Sequence, residues 1–155
     1  MAECIAEGLR EADPSLTVKL FNSAVDDKND IVTEVFKSKA ILVGSPTINY
    51  GYLFSIGGIM EMIRGLKFKN KKAAAFGSYG WSGEAVKQIT ALLDGAGFEV
   101  VNQPRPLNRR AEGVEHGPLH QRHVLGILMI GVANGLRSNL LIKTFRLFGK
   151  PTVPD

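Results

Sequence analysis

Apolar residues recur along the first hundred positions with two periods that take turns, and that alternation predicts the architecture. Over Met1–Ala12, Met1, Ile5, Leu9 and Ala12 share one helical stripe, with Glu3, Glu7, Arg10 and Glu11 mostly off it. Asp13-Pro14 ends that helix, because the residue before a proline is pushed out of the α region. Ser15–Asn22 changes to period two, with Leu16, Val18 and Leu20 opposite Thr17 and Lys19, as in a strand with one wetter face. Asp26–Lys37 returns to helical spacing on Ile31, Val32, Val35 and Phe36, with Asp26 or Asp27 as N-cap.

Two short apolar runs then suit parallel strands buried on both faces: Ala40–Val43 within Lys39–Gly44, and Ala73–Phe76 within Lys72–Gly77. Between them Phe54–Leu66 reads as a helix, started by Ser55 and loosened by Gly57-Gly58. Gly83–Asp94 is a further helix with Val86, Ile89, Leu92 and Leu93 inward, closed by the Gly95 to Gly97 stretch, and Phe98–Val101 is a fourth strand. Strands alternating with helices at this spacing predict βαβ units, hence an α/β fold on a parallel sheet with right-handed crossovers. The series nevertheless begins on a helix. A sheet of this class should open with a strand and a ligand-binding turn, and that strand is expected upstream of Met1.

Composition adds bounds. The chain has 155 residues and 45% hydrophobic content, which fits one domain with a real core and argues against disorder. A single cysteine, Cys4, excludes an internal disulfide and is read as a small core residue on the edge of the first stripe. The longest apolar run, Val124 to Val132, is too short to cross a bilayer, and no signal-peptide pattern opens the chain, so a cytoplasmic location is expected. The net charge of +4 is unevenly spread. Residues 1–103 carry 11 basic against 12 acidic side chains, whereas residues 104–155 carry 8 against 3. That last third also holds five of the seven prolines and all three histidines, so residues 1–101 are read as one domain and 102–155 as a basic tail. Within the tail, Pro104–Gln121 has no periodicity and Arg122–Gly149 is apolar enough to be helical. The tail is read as an amphipathic surface helix, as a closing segment of the domain, or as unrelated sequence joined by a frameshift, gene fusion or misread frame. The abrupt change of composition favours the last.

Ligands of open parallel sheets bind beyond the carboxyl ends of the strands. Two such ends carry unusual sequence: Gly44-Ser45-Pro46-Thr47-Ile48-Asn49-Tyr50-Gly51 and Gly77-Ser78-Tyr79-Gly80-Trp81-Ser82-Gly83. Both join glycines, which allow close backbone approach, to small hydroxyls and an aromatic. That combination suits a flat polar ring, with backbone N–H groups on its edge and Tyr50, Tyr79 or Trp81 over its faces. The alternatives are two ordinary α/β turns, and a Trp81 that is only a half-buried packing residue. His116, His120 and His123 are spaced for one helical face, but Pro118 interrupts it and no carboxylate or cysteine cluster joins them, so no metal site is expected. Nor does any Ser/His/Asp order or carboxylate pair mark a catalytic residue.

At these loops the chain resembles the flavodoxin-like domain of flavo-diiron proteins, the A-type flavoproteins. The matching stretches are Ala40–Asn49 and Ala75–Gly83, with looser matches at Gly65–Lys71 and Gly95–Val100, and the resemblance covers about Met1 to Val101. It implies a flavodoxin-like three-layer fold with a 2-1-3-4-5 sheet, whose first strand and hydroxyl-rich phosphate loop would precede Met1. The central place of that sheet is then expected to be empty, leaving the neighbouring strands without a shared partner. It also implies FMN, with Ser45, Pro46, Thr47, Ile48, Asn49 and Tyr50 lining one side of the isoalloxazine. Ser78, Tyr79, Gly80, Trp81 and Gly83 would line the other. Electrons would enter from a rubredoxin-type donor or reductase and leave for a di-iron, metallo-β-lactamase-like domain that reduces nitric oxide or oxygen. The competing readings are a stand-alone flavodoxin-like quinone or flavin reductase, and a remnant or interaction module that no longer holds FMN. Nucleic acid and membrane surfaces are not expected partners, since the recognisable part is slightly acidic, and a homo-oligomer stays open.

Overall fold

The computed structural model describes residues 1–79, 82–101, 107–108 and 126–131, the last two segments as backbone only. In chain order the elements are α1 (Ala2–Ala12), β1 (Thr17–Asn22), α2 (Lys28–Lys37), β2 (Ala40–Gly44), α3 (Phe54–Leu66), β3 (Lys72–Phe76) and β4 (Ser78–Tyr79). They are followed by α4 (Glu84–Gly95), β5 (Glu99–Val100), β6 (Leu107–Asn108) and β7 (Gly126–Gly131).

The five-stranded sheet has the order β1-β7-β2-β3-β5. β2, β3 and β5 are parallel, in registers that set Ile41 beside Ala73 and Ala73 beside Val100. β2 is buried at every position, and its residues alternate between two cores as the pleat demands. Ile41 and Val43, with Ala73 and Ala75 of β3, face α2, α3 and α4 through Ile31, Val35, Ile59, Ile63, Ile89 and Leu93. Ala40 and Leu42, with Ala74 and Phe76, face α1 through Ile5, Ala6 and Leu9. The result is a three-layer α/β/α domain.

Local chemistry explains the ends. Asp27, one of the two expected caps, accepts a hydrogen bond from Asn29 N at 2.7 Å and starts α2. Ser55 does not start α3: Leu53 is the N-cap with no side-chain bond, and Ser55 Oγ instead meets Ser23 Oγ at 2.8 Å, tying the β1–α2 turn to α3. Phe68 is wedged between Phe36 and Phe98, with ring centroids 4.8 and 5.3 Å away. Gly97, at φ +90°, passes so close to the Phe68 carbonyl that a side chain there would collide with it.

Three further expectations are overturned. Cys4 is exposed on α1, because the buried stripe is Ile5, Ala6 and Leu9 and Cys4 lies beside it. The stretch read as helical from Arg122 contains an extended segment, since Gly126–Gly131 is strand β7. The centre of the sheet is not empty. β7 lies between β1 and β2 and pairs antiparallel with both, Thr17 opposite Gly131 and Asn22 opposite Gly126 on one side, Ala40 opposite Ile130 and Val43 opposite Ile127 on the other. The remaining tail residues, with His116, His120 and His123, lie outside the described residues, as do Gly80 and Trp81.

Candidate functional site

β2 and β3 are parallel, so the loops that leave their carboxyl ends emerge on one edge of the sheet. Two backbone bonds join them: Ser45 N–H donates to Phe76 O at 3.1 Å, and Thr47 N–H to Ser78 O at 2.9 Å. Gly77 makes that approach possible. A Cβ at Gly77 would overlap the Ser45 carbonyl oxygen and lie 3.1 Å from Val86 Cγ2.

The first loop is held from within. Ser45 is buried, and its hydroxyl donates to Pro46 O at 2.8 Å and accepts from Leu53 N at 3.0 Å. That hydroxyl therefore shapes the loop. Ile48 and Gly51 exchange both backbone bonds at 2.9 Å, enclosing Asn49 (φ 50°) and Tyr50 (φ 59°) in a two-residue reversal. Left-handed φ at both central positions is the signature of a type I′ turn. Asparagine tolerates it and a bulky tyrosine does not, at a cost of order 1–3 kcal/mol where such strain persists. The strained residue is presented outward: Tyr50 is 68% exposed, and Phe54 at the start of α3 is 97% exposed. Gln88 of α4 fixes the turn from the other side by donating Nε2–H to Tyr50 O at 2.8 Å.

In the second loop, Ser78 and Tyr79 form β4, half-buried and paired in parallel with Leu107 and Asn108 of β6. Ser82 and Gly83 lead into α4, whose Ala85 N–H reaches Thr47 Oγ1 at 3.4 Å. The Ser82 hydroxyl holds the Glu84 carboxyl below its ordinary pKa. Ser82 Oγ and Glu84 Oε2 are nonetheless enclosed without a hydrogen bond of normal geometry among the described residues.

Of the residues expected to contact a ring, Ser45 to Tyr50, Ser78, Tyr79 and Gly83 thus gather on one edge. Three participants escaped the sequence reading: Leu53 and Gln88, which brace the first loop, and Phe54, which stands bare beside it; Gly77, which lets the loops meet, was already marked as a loop glycine. Gly77 had a signal, as a glycine ending a buried strand. Gln88 had none, because its partner is a backbone carbonyl 38 positions away.

The edge fits the ring of a flavin. It offers two side-chain oxygens without hydrogen-bond partners among the described residues, Ser82 Oγ and Glu84 Oε2, beside an exposed aromatic, and its two loops can meet because Gly77 lacks a side chain. Among the described residues, no group of three or more His, Cys, Asp or Glu gathers to hold a metal, and no helix is long and apolar enough to cross a membrane.

The three-layer α/β fold, with two coupled, glycine-bearing loops at the carboxyl edge of its parallel strands, is that of the flavodoxin-like, FMN-binding domains. The chain is a member of the flavodoxin family, whose model matches residues 1–122. That match runs past the composition break near Val101. By sequence it is 57% identical over 99 residues to an anaerobic nitric oxide reductase flavorubredoxin of Vibrio vulnificus, which covers 64% of this chain and 20% of that one. The flavorubredoxin of Klebsiella pneumoniae is 52% identical over 100 residues, covering 64% of this chain and 21% of its own. The chain therefore spans about a fifth of the length of these curated relatives. Among solved structures, rubredoxin oxygen:oxidoreductase of Desulfovibrio gigas superposes with a TM-score of 0.62 at 36% identity, over 70% of this chain and 27% of that one. The flavodiiron protein of Giardia intestinalis shares the fold, with a TM-score of 0.56 at 20% identity, over 96% of this chain and 30% of that one.

Proposed function

We propose that this chain is the FMN-holding electron carrier of a system related to flavodiiron reductases. The isoalloxazine would sit at the edge formed by the Ser45–Tyr50 and Ser78–Gly83 loops. The observation that carries the reading is the coupling of those loops, Thr47 N–H to Ser78 O, across the side-chain-free surface of Gly77. Bound FMN supplies one-electron transfer between a donor and an acceptor.

The chain's own residues bind and orient. Backbone groups of Pro46 to Asn49 and of Ser78 to Gly83 would meet the polar edge of the ring, while Tyr50 covers a face. Gln88 and the Ile48–Gly51 pair keep Tyr50 in place, so the site needs little reorganisation when the cofactor enters. No side chain here acts as acid, base or nucleophile. The donor is a rubredoxin-type protein or reductase and the acceptor a di-iron, metallo-β-lactamase-like domain, in the cytoplasm. The names of the relatives, flavorubredoxin, rubredoxin oxygen:oxidoreductase and flavodiiron protein, support a rubredoxin-type donor and a di-iron acceptor.

The test is to purify the full chain and titrate it with FMN and with riboflavin, following flavin absorbance and fluorescence. Saturable FMN binding, with electrons accepted from a reduced rubredoxin, is expected. Colourless protein that takes up no FMN overturns the reading. Direct oxidation of NAD(P)H by the loaded protein replaces the carrier with a reductase. Equal affinity for FMN and riboflavin would show that the ring contacts alone hold the cofactor.

A further inference from the structure

The amino ends of β2 and β3 lie side by side, Ala40 opposite Lys72, at the pole of the sheet away from the two loops. Residues 36–39 and 62–72 close α2 and α3 there and lead into these strands. They hold seven basic side chains, Lys37, Lys39, Arg64 and the four lysines between Lys67 and Lys72, and no acidic one. Residues 1–103 carry only eleven basic side chains in all, so a slightly acidic stretch gathers most of its positive charge at one end.

The seven are used differently. Lys37, Arg64 and Lys72 pair with Glu34, Glu61 and Glu99 at 2.9, 2.5 and 3.2 Å. Lys71 turns inward, its Nζ donating to Phe36 O at 2.8 Å and to Ser38 O, and lies 5.5 Å from the centre of the Phe68 ring. Burial, and then the nearby charge of Lys39, holds it below the ordinary lysine value. Lys39, Lys67 and Lys69 are exposed and have no carboxylate partner among the described residues. Lys67 and Lys69 flank Phe68, which is buried against Phe36 and Phe98, so an anchored turn presents both charges to solvent. Phe36, Met62 and Leu66 of the same helix ends are also exposed, at 55, 38 and 43%.

Exposed apolar side chains rimmed by charge of one sign mark a surface for a macromolecular partner. Its occupant must be anionic and bring apolar groups of its own. The remainder of this chain is a poor source, because residues 104–155 hold 8 basic against 3 acidic side chains. Glu34, Glu61 and Glu99 stand among the lysines and would repel a dense row of phosphates, which disfavours nucleic acid and anionic lipid. A protein surface can instead set carboxylates opposite Lys39, Lys67 and Lys69 and apolar groups on Phe36 and Leu66.

We propose that the amino pole of β2 and β3 is a docking surface for an acidic protein partner with apolar side chains at the centre of its contact. β2 is five residues long, which sets this pole roughly 15 Å from the carboxyl edge. A partner held here leaves the flavin edge open to an electron donor and acceptor. The inference goes beyond the electron-carrier reading and does not depend on FMN.

The test uses the full chain, with and without added FMN, and a fluorescein-labelled helical peptide of glutamates with leucine at every third or fourth position. Anisotropy is expected to show saturable binding that weakens as salt rises from about 0.05 to about 0.3 M, equally with and without FMN. Lys67→Glu with Lys69→Glu should weaken binding at least tenfold. Lys28→Glu with Lys87→Glu makes the same change of charge in the first turns of α2 and α4, and should alter binding less than twofold. Leu66→Ser should weaken it at least threefold, which separates an apolar contact from attraction of charge alone. Circular dichroism of each variant checks that the fold is kept. No binding of the peptide, equal losses from the two charge-reversed pairs, or an unchanged affinity in Leu66→Ser would overturn the inference. Tighter binding of single-stranded DNA or of phosphatidylserine vesicles than of the peptide would overturn it by changing the class of partner. Binding that requires FMN would overturn it by moving the surface to the flavin edge.

Discussion

Replacing Gly77 with alanine tests the coupling of the two loops most directly. The new Cβ meets the Ser45 carbonyl oxygen and lies 3.3 Å from its carbon, so the obstacle is backbone and cannot rotate away. Relief requires the loops to part by roughly 1 Å, to restore ordinary van der Waals contact. Two hydrogen bonds span the same seam, Ser45 N to Phe76 O at 3.1 Å and Thr47 N to Ser78 O at 2.9 Å. Overpacking of this kind costs about 1–3 kcal/mol, and one lost or stretched hydrogen bond about 0.5–1.5 kcal/mol. The sum, about 2–4 kcal/mol, lowers Tm by roughly 4–16 °C in a domain of this size. Thermal unfolding of Gly77→Ala beside the parent, with an FMN titration of both, gives the two readouts. FMN affinity should fall at least tenfold even well below the melting transition. A Gly77→Ala protein that melts within about a degree of the parent and binds FMN equally well refutes the close-approach argument.

Gly65→Ala should act in the opposite sense: Gly65 is in the last turn of α3 and a Cβ there meets nothing within 4 Å, so chemical denaturation should show about 0.5–1 kcal/mol of added stability. Tyr50→Ala removes the exposed aromatic and should weaken FMN binding about twofold to tenfold, from the roughly 0.5–1.5 kcal/mol of ring stacking; an unchanged dissociation constant would place the ring elsewhere. Glu34 is bonded to Lys19 and Lys37, which hold its carboxyl below the ordinary value of 4.5. A depressed carboxylate pKa stabilises the fold above the unfolded-state value, and that stabilisation is lost as pH falls through the folded-state value. The gap in urea midpoint between the parent and Glu34→Gln should therefore be present at pH 7 and close below about pH 4.5; a gap independent of pH would refute the assignment.

The four helices and β1 were legible from their periods, and β2 and β3 from their unbroken apolar runs, whereas the two-residue β4 was not seen. The cap at Asp27 was legible because an aspartate ahead of an apolar helical stripe has few other uses. β7 was not. Ile127-Leu128-Met129-Ile130 is too short for its period to separate strand from helix, and only the slot between β1 and β2 decides the matter. The flanking Gly126 and Gly131 were the available hint, inside a stretch whose apolar content reads as helical. The two site loops were found from glycine and hydroxyl content, but the reversal at Asn49-Tyr50 was hidden. Such a turn normally advertises itself with a glycine at its second position, and tyrosine stands there. The Ser45 hydroxyl has a structural use that composition did not show, since it bonds Pro46 O and Leu53 N within its own loop.

The placing of β7 also sets the order in which the molecule can be completed. Thr17 lies opposite Gly131 and Ala40 opposite Ile130, so the middle of the sheet joins residues about a hundred positions apart. At about 5–20 residues per second, a ribosome needs roughly 5–20 s to reach β7 after it has made β1. Throughout that interval β1 and β2 each present an unpaired edge, and non-local pairing of this kind is slow even once the whole chain is free. Synthesis at low temperature or with chaperones present should therefore raise the yield of folded protein more than any substitution on the finished surface. The domain closes at its centre last.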